Sequence, residues 1–166
     1  MIRQHVTIVS TIKSGWKYYQ GKMKFKPSGI WYGIDDSWLE WCYTVMPEWI
    51  KKNLFILEVD LSDILIISTP EELNAFCKKY EKVDQFNFNS IFGMIDWWKL
   101  SREYKGIELQ NYHALKYGDP SNNIFRTWLH GWDVNGGCIW NTTALVNIKK
   151  TQTPNKWFEK STMNAN

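Results

Sequence analysis

The sequence predicts a single α+β domain in which two small mixed or antiparallel β-sheets are flanked by about three helices. Three observations predict it. Short β-prone runs, HVTIVS, NLFILEVDL, DILIIS and GIELQNY, are separated by turn residues. Between them lie stretches with helical spacing and recognisable start signals. The 166 residues, 44% hydrophobic and 22% charged, suffice for one domain with a full core.

The elements follow in order. His5 to Ser10 alternates as a first strand, and the lysine-rich segment up to Lys26 reads as a loop or hairpin. SGIWYG, bounded by Pro27 and Gly33, is a short strand. Asp35, Asp36 and Ser37 offer N-caps to a helix whose Trp38, Trp41, Cys42 and Val45 mark one buried face, and Pro47 ends or kinks it. NLFILEVDL and DILIIS are strands about a Ser-Asp turn. Ser68-Thr69-Pro70-Glu71-Glu72 combines a cap, a first-turn proline and acids at the positive end of the dipole, so a helix starts there. KVDQFNFNSIFG reads as a loop, DWWKLSREY as a short helix and GIELQNY as a strand. IFRTWLHGWD, CIWN and ALVNI close a domain spanning 1–148. Residues 149–166 form a polar, lysine-bearing tail.

Composition narrows the function classes. Cys42, Cys77 and Cys138 are odd in number and far apart, which gives neither a disulfide framework nor a zinc site, and no metal is expected. No apolar run reaches the ~18 residues of a membrane span, and the start carries no signal-peptide pattern. The expectation is a cytoplasmic protein with no membrane partner. Met1 to Lys26 carries Arg3 and five lysines with no acid, which points to an anionic ligand or partner, although a solvated lysine face gives the same pattern. The 11 tryptophans exceed ordinary usage. They either pack a core or line a groove that holds flat rings.

No phosphate loop, nucleophile elbow or metal spacing is present, and His5, His113 and His130 are scattered. What remains is an ordered set. His5-Val6-Thr7 stands on the first strand, G-I-W-Y-G spans Gly29 to Gly33, and S-W-L-E-W-C-Y is followed by L-F-I-L-E-V-D-L-S-D-I-L. Over Gln4 to Leu65 this order resembles the ADP-ribosyltransferase fold, in the histidine-bearing branch of poly(ADP-ribose) polymerases and DNA-modifying toxin transferases.

The resemblance implies NAD as cofactor and particular roles for matching residues. His5 would hydrogen-bond the nicotinamide ribose, and Thr7 would support its strand. Gly29 would allow close approach of the ligand, and Trp31 or Tyr32 would stack on nicotinamide. Glu108 is the candidate for the acid beside the ribose, with Asp133 in reserve. The place near GGCIWN where the family glutamate would open the last strand holds glycine. Arg126 is a candidate for clasping the pyrophosphate. Each residue also has an ordinary reading: His5 structural, Trp31 and Tyr32 in the core, Glu108 facing solvent, Arg126 in a cross-strand ion pair.

The leading expectation is a mono-ADP-ribosyltransferase-like protein acting on an unknown macromolecular acceptor, protein or nucleic acid. The alternative is a non-catalytic module that holds a nucleotide, a nucleic acid or a protein partner in the same aromatic groove.

Overall fold

In the computed structural model, which describes residues 1–22, 24–82, 94–118 and 127–158, seven strands form one mixed sheet. They are β1 (Arg3–Thr7), β2 (Ile30–Ile34), β3 (Asn53–Val59), β4 (Ile64–Ile67), β7 (Gly106–Leu109), β8 (Gly136–Ile139) and β9 (Leu145–Gln152). Their spatial order is β4-β7-β8-β2-β1-β3-β9. Only β4 and β7 run parallel; the other neighbours are antiparallel. A separate two-stranded ribbon pairs β5 (Glu81–Lys82) with β6 (Met94–Ile95). The two sheets of this α+β domain are therefore unequal in size. The β4 strand does not fold back on β3 across the Ser-Asp turn. It crosses to the opposite edge of the sheet after a 3₁₀ turn at Leu61–Asp63.

Among the described residues four α-helices flank the sheet: α1 (Ser37–Val45), α2 (Pro70–Tyr80), α3 (Trp97–Leu100) and α4 (Tyr112–Tyr117). Helix α2 starts as its sequence dictates. Thr69 accepts from the Glu72 amide while the Glu72 carboxylate accepts from the Thr69 amide, a capping box. Its stripe of Leu73, Phe76, Cys77 and Tyr80 is buried. Helix α1 departs from the expected face: Leu39 and Cys42 are buried, whereas Val45 is exposed. Pro47 begins a 3₁₀ turn through Trp49. Lys149 to Gln152, the start of the polar tail, complete β9 against β3. The expected loop KVDQFNFNSIFG lies outside the described residues after Lys82, as does most of YGDPSNN. No described helix is long and apolar enough to cross a membrane.

Strand alternation divides the core. One face carries Val6, Trp31, Cys138 and Ile107, and all the α-helices pack on it. Helices α2, α3 and α4 gather around a ring cluster of Phe76, Trp97, Trp128 and Trp132, whose centroids lie 5.3–6.3 Å apart. Such pairs contribute roughly 0.5–1.5 kcal/mol each beyond burial. Helix α1 packs further along, its Leu39 and Cys42 joining Ile50 from beyond the 3₁₀ turn against Val6. The opposite face buries Ile30, Tyr32, Ile34, Phe55, Leu57 and Ile139 beneath Ala144 and Leu145. Between the two helical groups the first face is left open, and the candidate site lies there.

Candidate functional site

The opening comes from a divergence of two strands. Strand β1 pairs with β2 only through Arg3–Ile34 and Gln4–Gly33, yet it stays paired with β3 as far as Thr7. Where the ladder stops, the imidazole of His5 takes over: its Nδ1 lies 2.5 Å from the Trp31 carbonyl. A carbonyl only accepts, so Nδ1 carries the proton and Nε2 is left as an acceptor. Burial pushes the His5 pKa down, and the bond to the Trp31 carbonyl only partly opposes it, so the ring is neutral at pH 7.

Beside this parting lies a cavity of about 250 Å³. Its walls are aromatic. Trp31 meets Trp132 edge to face at 4.7 Å, and Trp38 stands 6.0 Å from Trp49. The Lys26 ammonium sits 5.3 Å over the Trp31 ring. Gly33 forms part of the lining because Trp38 is pressed against it; an added Cβ would come within 2.7 Å of the Trp38 Cβ. Gln4 lines the cavity too, and its buried Oε1 has no hydrogen-bond partner. Asp133 completes the set. It is held at φ 65°, partly exposed, and its carboxylate has no hydrogen bond or ion pair among the described residues. Burial, with the Asp133 charge second, pushes the nearby Cys42 thiol up to about 12, so this cysteine is inert as a nucleophile.

Of the residues singled out from the sequence, His5, Trp31, Tyr32 and Asp133 line this cavity. Glu108 does not, and its catalytic assignment is corrected here. It is fully buried on the other face of the sheet, and both its oxygens are engaged. Arg3 reaches it through Nε at 2.6 Å and a terminal nitrogen at 3.1 Å. The Tyr32 hydroxyl donates at 2.8 Å and the Gln110 amide at 2.6 Å. Burial alone would raise its carboxyl pKa, but the bonds from Arg3, Gln110 and Tyr32 outweigh it and hold it below the ordinary range. A carboxylate so saturated has no lone pair to offer a sugar. Tyr32 is committed likewise: its ring crosses over Gly137 to Glu108, so its hydroxyl works on the far face. Burial, then the Glu108 charge, raises its pKa well above the usual value.

Thr7 and Gly29 do not line the cavity either. The Thr7 hydroxyl accepts from the Val9 amide at 3.3 Å at the strand end. Gly29 is small because β8 abuts it: an added Cβ would lie 2.4 Å from the Ile139 carbonyl and 2.7 Å from the Cys138 sulfur. Arg126 lies outside the described residues. Sequence reasoning missed Gln4, Trp38, Trp49 and Trp132 as lining residues. Trp38 was expected in a helix core, and nothing local marks Trp132 as the partner of Trp31. No group of three or more His, Cys, Asp or Glu that could hold a metal occurs among the described residues.

No family model, curated protein or solved structure matches the chain. What the geometry offers is an aromatic box of Trp31, Trp38, Trp49 and Trp132 with the Asp133 carboxylate, unpaired among the described residues, while the His5 ring turns to the far face of the sheet beside Phe55.

Proposed function

We propose that the chain is a mono-ADP-ribosyltransferase-like protein using NAD, with Asp133 rather than Glu108 as the acid beside the sugar. One observation carries the reading: beside the parting of β1 from β2, Trp31, Trp132 and Asp133, unpaired among the described residues, surround a single cavity. The volume of about 250 Å³ suits one heteroaromatic ring rather than a whole dinucleotide, so the ring enters and the rest of NAD lies outside. NAD supplies an ADP-ribosyl group joined to nicotinamide by a C–N bond. That bond breaks, nicotinamide leaves with the electron pair, and a nucleophile of the acceptor bonds the ribose carbon and loses its proton. The sugar gains positive charge as the bond breaks. In this reading the Asp133 carboxylate faces that charge in a site whose indole walls exclude water. Trp31 and Trp132 hold the ring, and His5 fixes the Trp31 backbone through its bond to that carbonyl. Three buried, free cysteines suit a reducing compartment, and we place the reaction in the cytoplasm.

The test uses labelled NAD with a panel of protein and nucleic-acid acceptors. Asp133→Asn keeps the size and tolerates the positive φ. It is expected to lower transfer by about 10²–10³, the scale of losing one electrostatic stabiliser of a transition state. Transfer at the wild-type rate in Asp133→Asn would remove the assignment.

A second reading rests on a different surface. Trp16, Tyr19 and Trp98 are exposed, with Lys13 5.7 Å over Trp16 and Lys22 and Arg102 5.2 and 5.0 Å over Trp98. Rings interleaved with cations are what a non-catalytic binder of single-stranded nucleic acid presents, at ~1–3 kcal/mol per stacked base. Binding of an oligonucleotide that weakens steeply with salt, without any NAD turnover, would favour it.

A further inference from the structure

We infer that the cavity is a cage for organic cations whose charge sits on a quaternary nitrogen. Trimethylammonium heads and ring-alkylated pyridinium rings share that chemistry. This role does not depend on NAD turnover, although the nicotinamide ring of NAD is one such cation.

The walls supply π faces and few hydrogen bonds. Trp31 and Trp132 meet at 4.7 Å, Trp38 and Trp49 stand 6.0 Å apart, and all four line the cavity. The Trp31 indole donates to the Pro27 carbonyl at 3.3 Å, and the Trp132 indole donates to the Gly136 carbonyl at 3.1 Å. The Tyr32 hydroxyl is held by Glu108 on the far face, and the His5 ring turns to Phe55. Gln4 gives an amide N–H to Asp36, and its oxygen is buried beyond the reach of a ligand. Two charged side chains remain on the lining, Asp133 and Lys26, and neither forms an ion pair among the described residues. A primary ammonium would bring three donors to one carboxylate and leave N–H groups unmet. A quaternary nitrogen has no N–H to satisfy. It needs only negative potential, which indole faces and a carboxylate both supply.

The chain already seats a cation on one wall. The Lys26 ammonium lies 5.3 Å over the Trp31 ring, within the ~6 Å over which a ring attracts a cation. Its stem lies against Gly131, where a side chain would collide with it. Lys26 is exposed, so its flexible stem can swing aside when a ligand enters. It marks a place for the ligand's charge and competes for that place. Trp132 is buried and Trp49 is 44% exposed, so the box leads from the core to the surface. At about 250 Å³ the cavity is smaller than the ~300–1,000 Å³ pockets of drug-sized ligands. That size suits a cationic head group with the rest of its molecule outside.

The experiment titrates the full chain with three matched pairs, read by tryptophan fluorescence and calorimetry. Choline is paired with its uncharged analogue, in which carbon replaces the nitrogen. A trimethyl-lysine peptide is paired with its unmethylated parent, and nicotinamide methylated on the ring nitrogen with nicotinamide. Choline is expected to bind at least ~10-fold more tightly than its analogue, the combined scale of desolvated cation–π contacts and one charge pair. The pair with the largest preference identifies the source of the cation: a free small molecule, a methylated protein or a pyridinium nucleotide. Asp133→Asn should weaken choline about fivefold and leave the uncharged analogue unmoved, which a merely structural role would not do. Lys26→Met should tighten choline severalfold by removing the internal competitor. Equal binding within the choline pair, no binding of either member, or weaker choline binding in Lys26→Met overturns the cage. Nicotinamide binding would then leave the NAD reading standing. Choline binding without any transfer from NAD keeps the cage and overturns the transferase.

Discussion

Replacing Arg3 with methionine should destabilise the fold severely, and the magnitude can be worked from the contacts. Glu108 is fully buried and ionised, and it takes two hydrogen bonds from Arg3, at 2.6 and 3.1 Å. Arg3→Met leaves only the neutral donors Tyr32 and Gln110 to support the charge. Breaking a buried pair from one side costs about 3–5 kcal/mol, because the remaining charge is uncompensated. At ~2–4 °C per kcal/mol for a chain of this size, the melting temperature should fall by roughly 6–20 °C. The double variant Arg3→Met/Glu108→Leu removes the charge as well and should recover most of the loss. The pH dependence supplies the sign. In the wild type the Glu108 carboxyl is held below its ordinary value, so its contribution is complete above about pH 4.3 and is lost as pH falls through the folded value. In Arg3→Met burial dominates and raises that pKa, so the variant should gain stability relative to wild type on acidification from pH 7 toward 5. Urea unfolding at a series of pH values reads both effects. A loss below ~1 kcal/mol, or a difference between the two proteins that does not change with pH, would refute the reasoning.

Gly137→Ala should act on the same network from the side. Its Cβ would lie 2.4 Å from both the Ile107 carbonyl and the Tyr32 hydroxyl. The expected cost is about 1–3 kcal/mol or more, since one of those atoms is backbone, with loss of the Tyr32 contact visible in the tyrosine ultraviolet spectrum. Stability should also follow His5. Its pKa is lowered by burial, so the neutral ring contributes stability that is complete above pH 6.5 and is lost as pH falls from there. Urea unfolding between pH 8 and 5 should show this loss in the wild type and not in His5→Phe.

Much of the architecture was legible because it is written locally. The capping box at Thr69 and Glu72 and the apolar stripe of α2 lie within a dozen residues, and the strand runs announce themselves by alternation. Helix α4 was not legible. It follows GIEL after only Gln110 and Asn111, begins behind an Asn111 held at φ 56°, and has six residues, too few for a periodic stripe. Nor was the crossing of β4 to the far edge. A Ser-Asp turn is equally compatible with a hairpin, and only the parallel pairing with β7, some 40 residues on, decides against it. The site divided in the same way. His5 and Trp31 stand on short motifs, whereas Trp132 and Gln4 join the cavity through contacts that no spacing encodes.

Glu108 shows what that division means physically. On the chain it is a glutamate in a strand, the residue type that chemistry at a sugar would require. In three dimensions it lies 105 positions from Arg3 in sequence, and burial makes that pairing obligatory, because neither charge can be left alone in an apolar sheet. The consequence reaches the cavity through one step of strand alternation. Glu108 anchors the Tyr32 hydroxyl on one face of β2, and Trp31, its immediate neighbour, must then project to the other. There Trp31 meets Trp132 and Lys26. The acid sets the wall of the site without entering it, and the carboxylate that lines the site is that of Asp133, unpaired among the described residues and carried on a backbone held at positive φ.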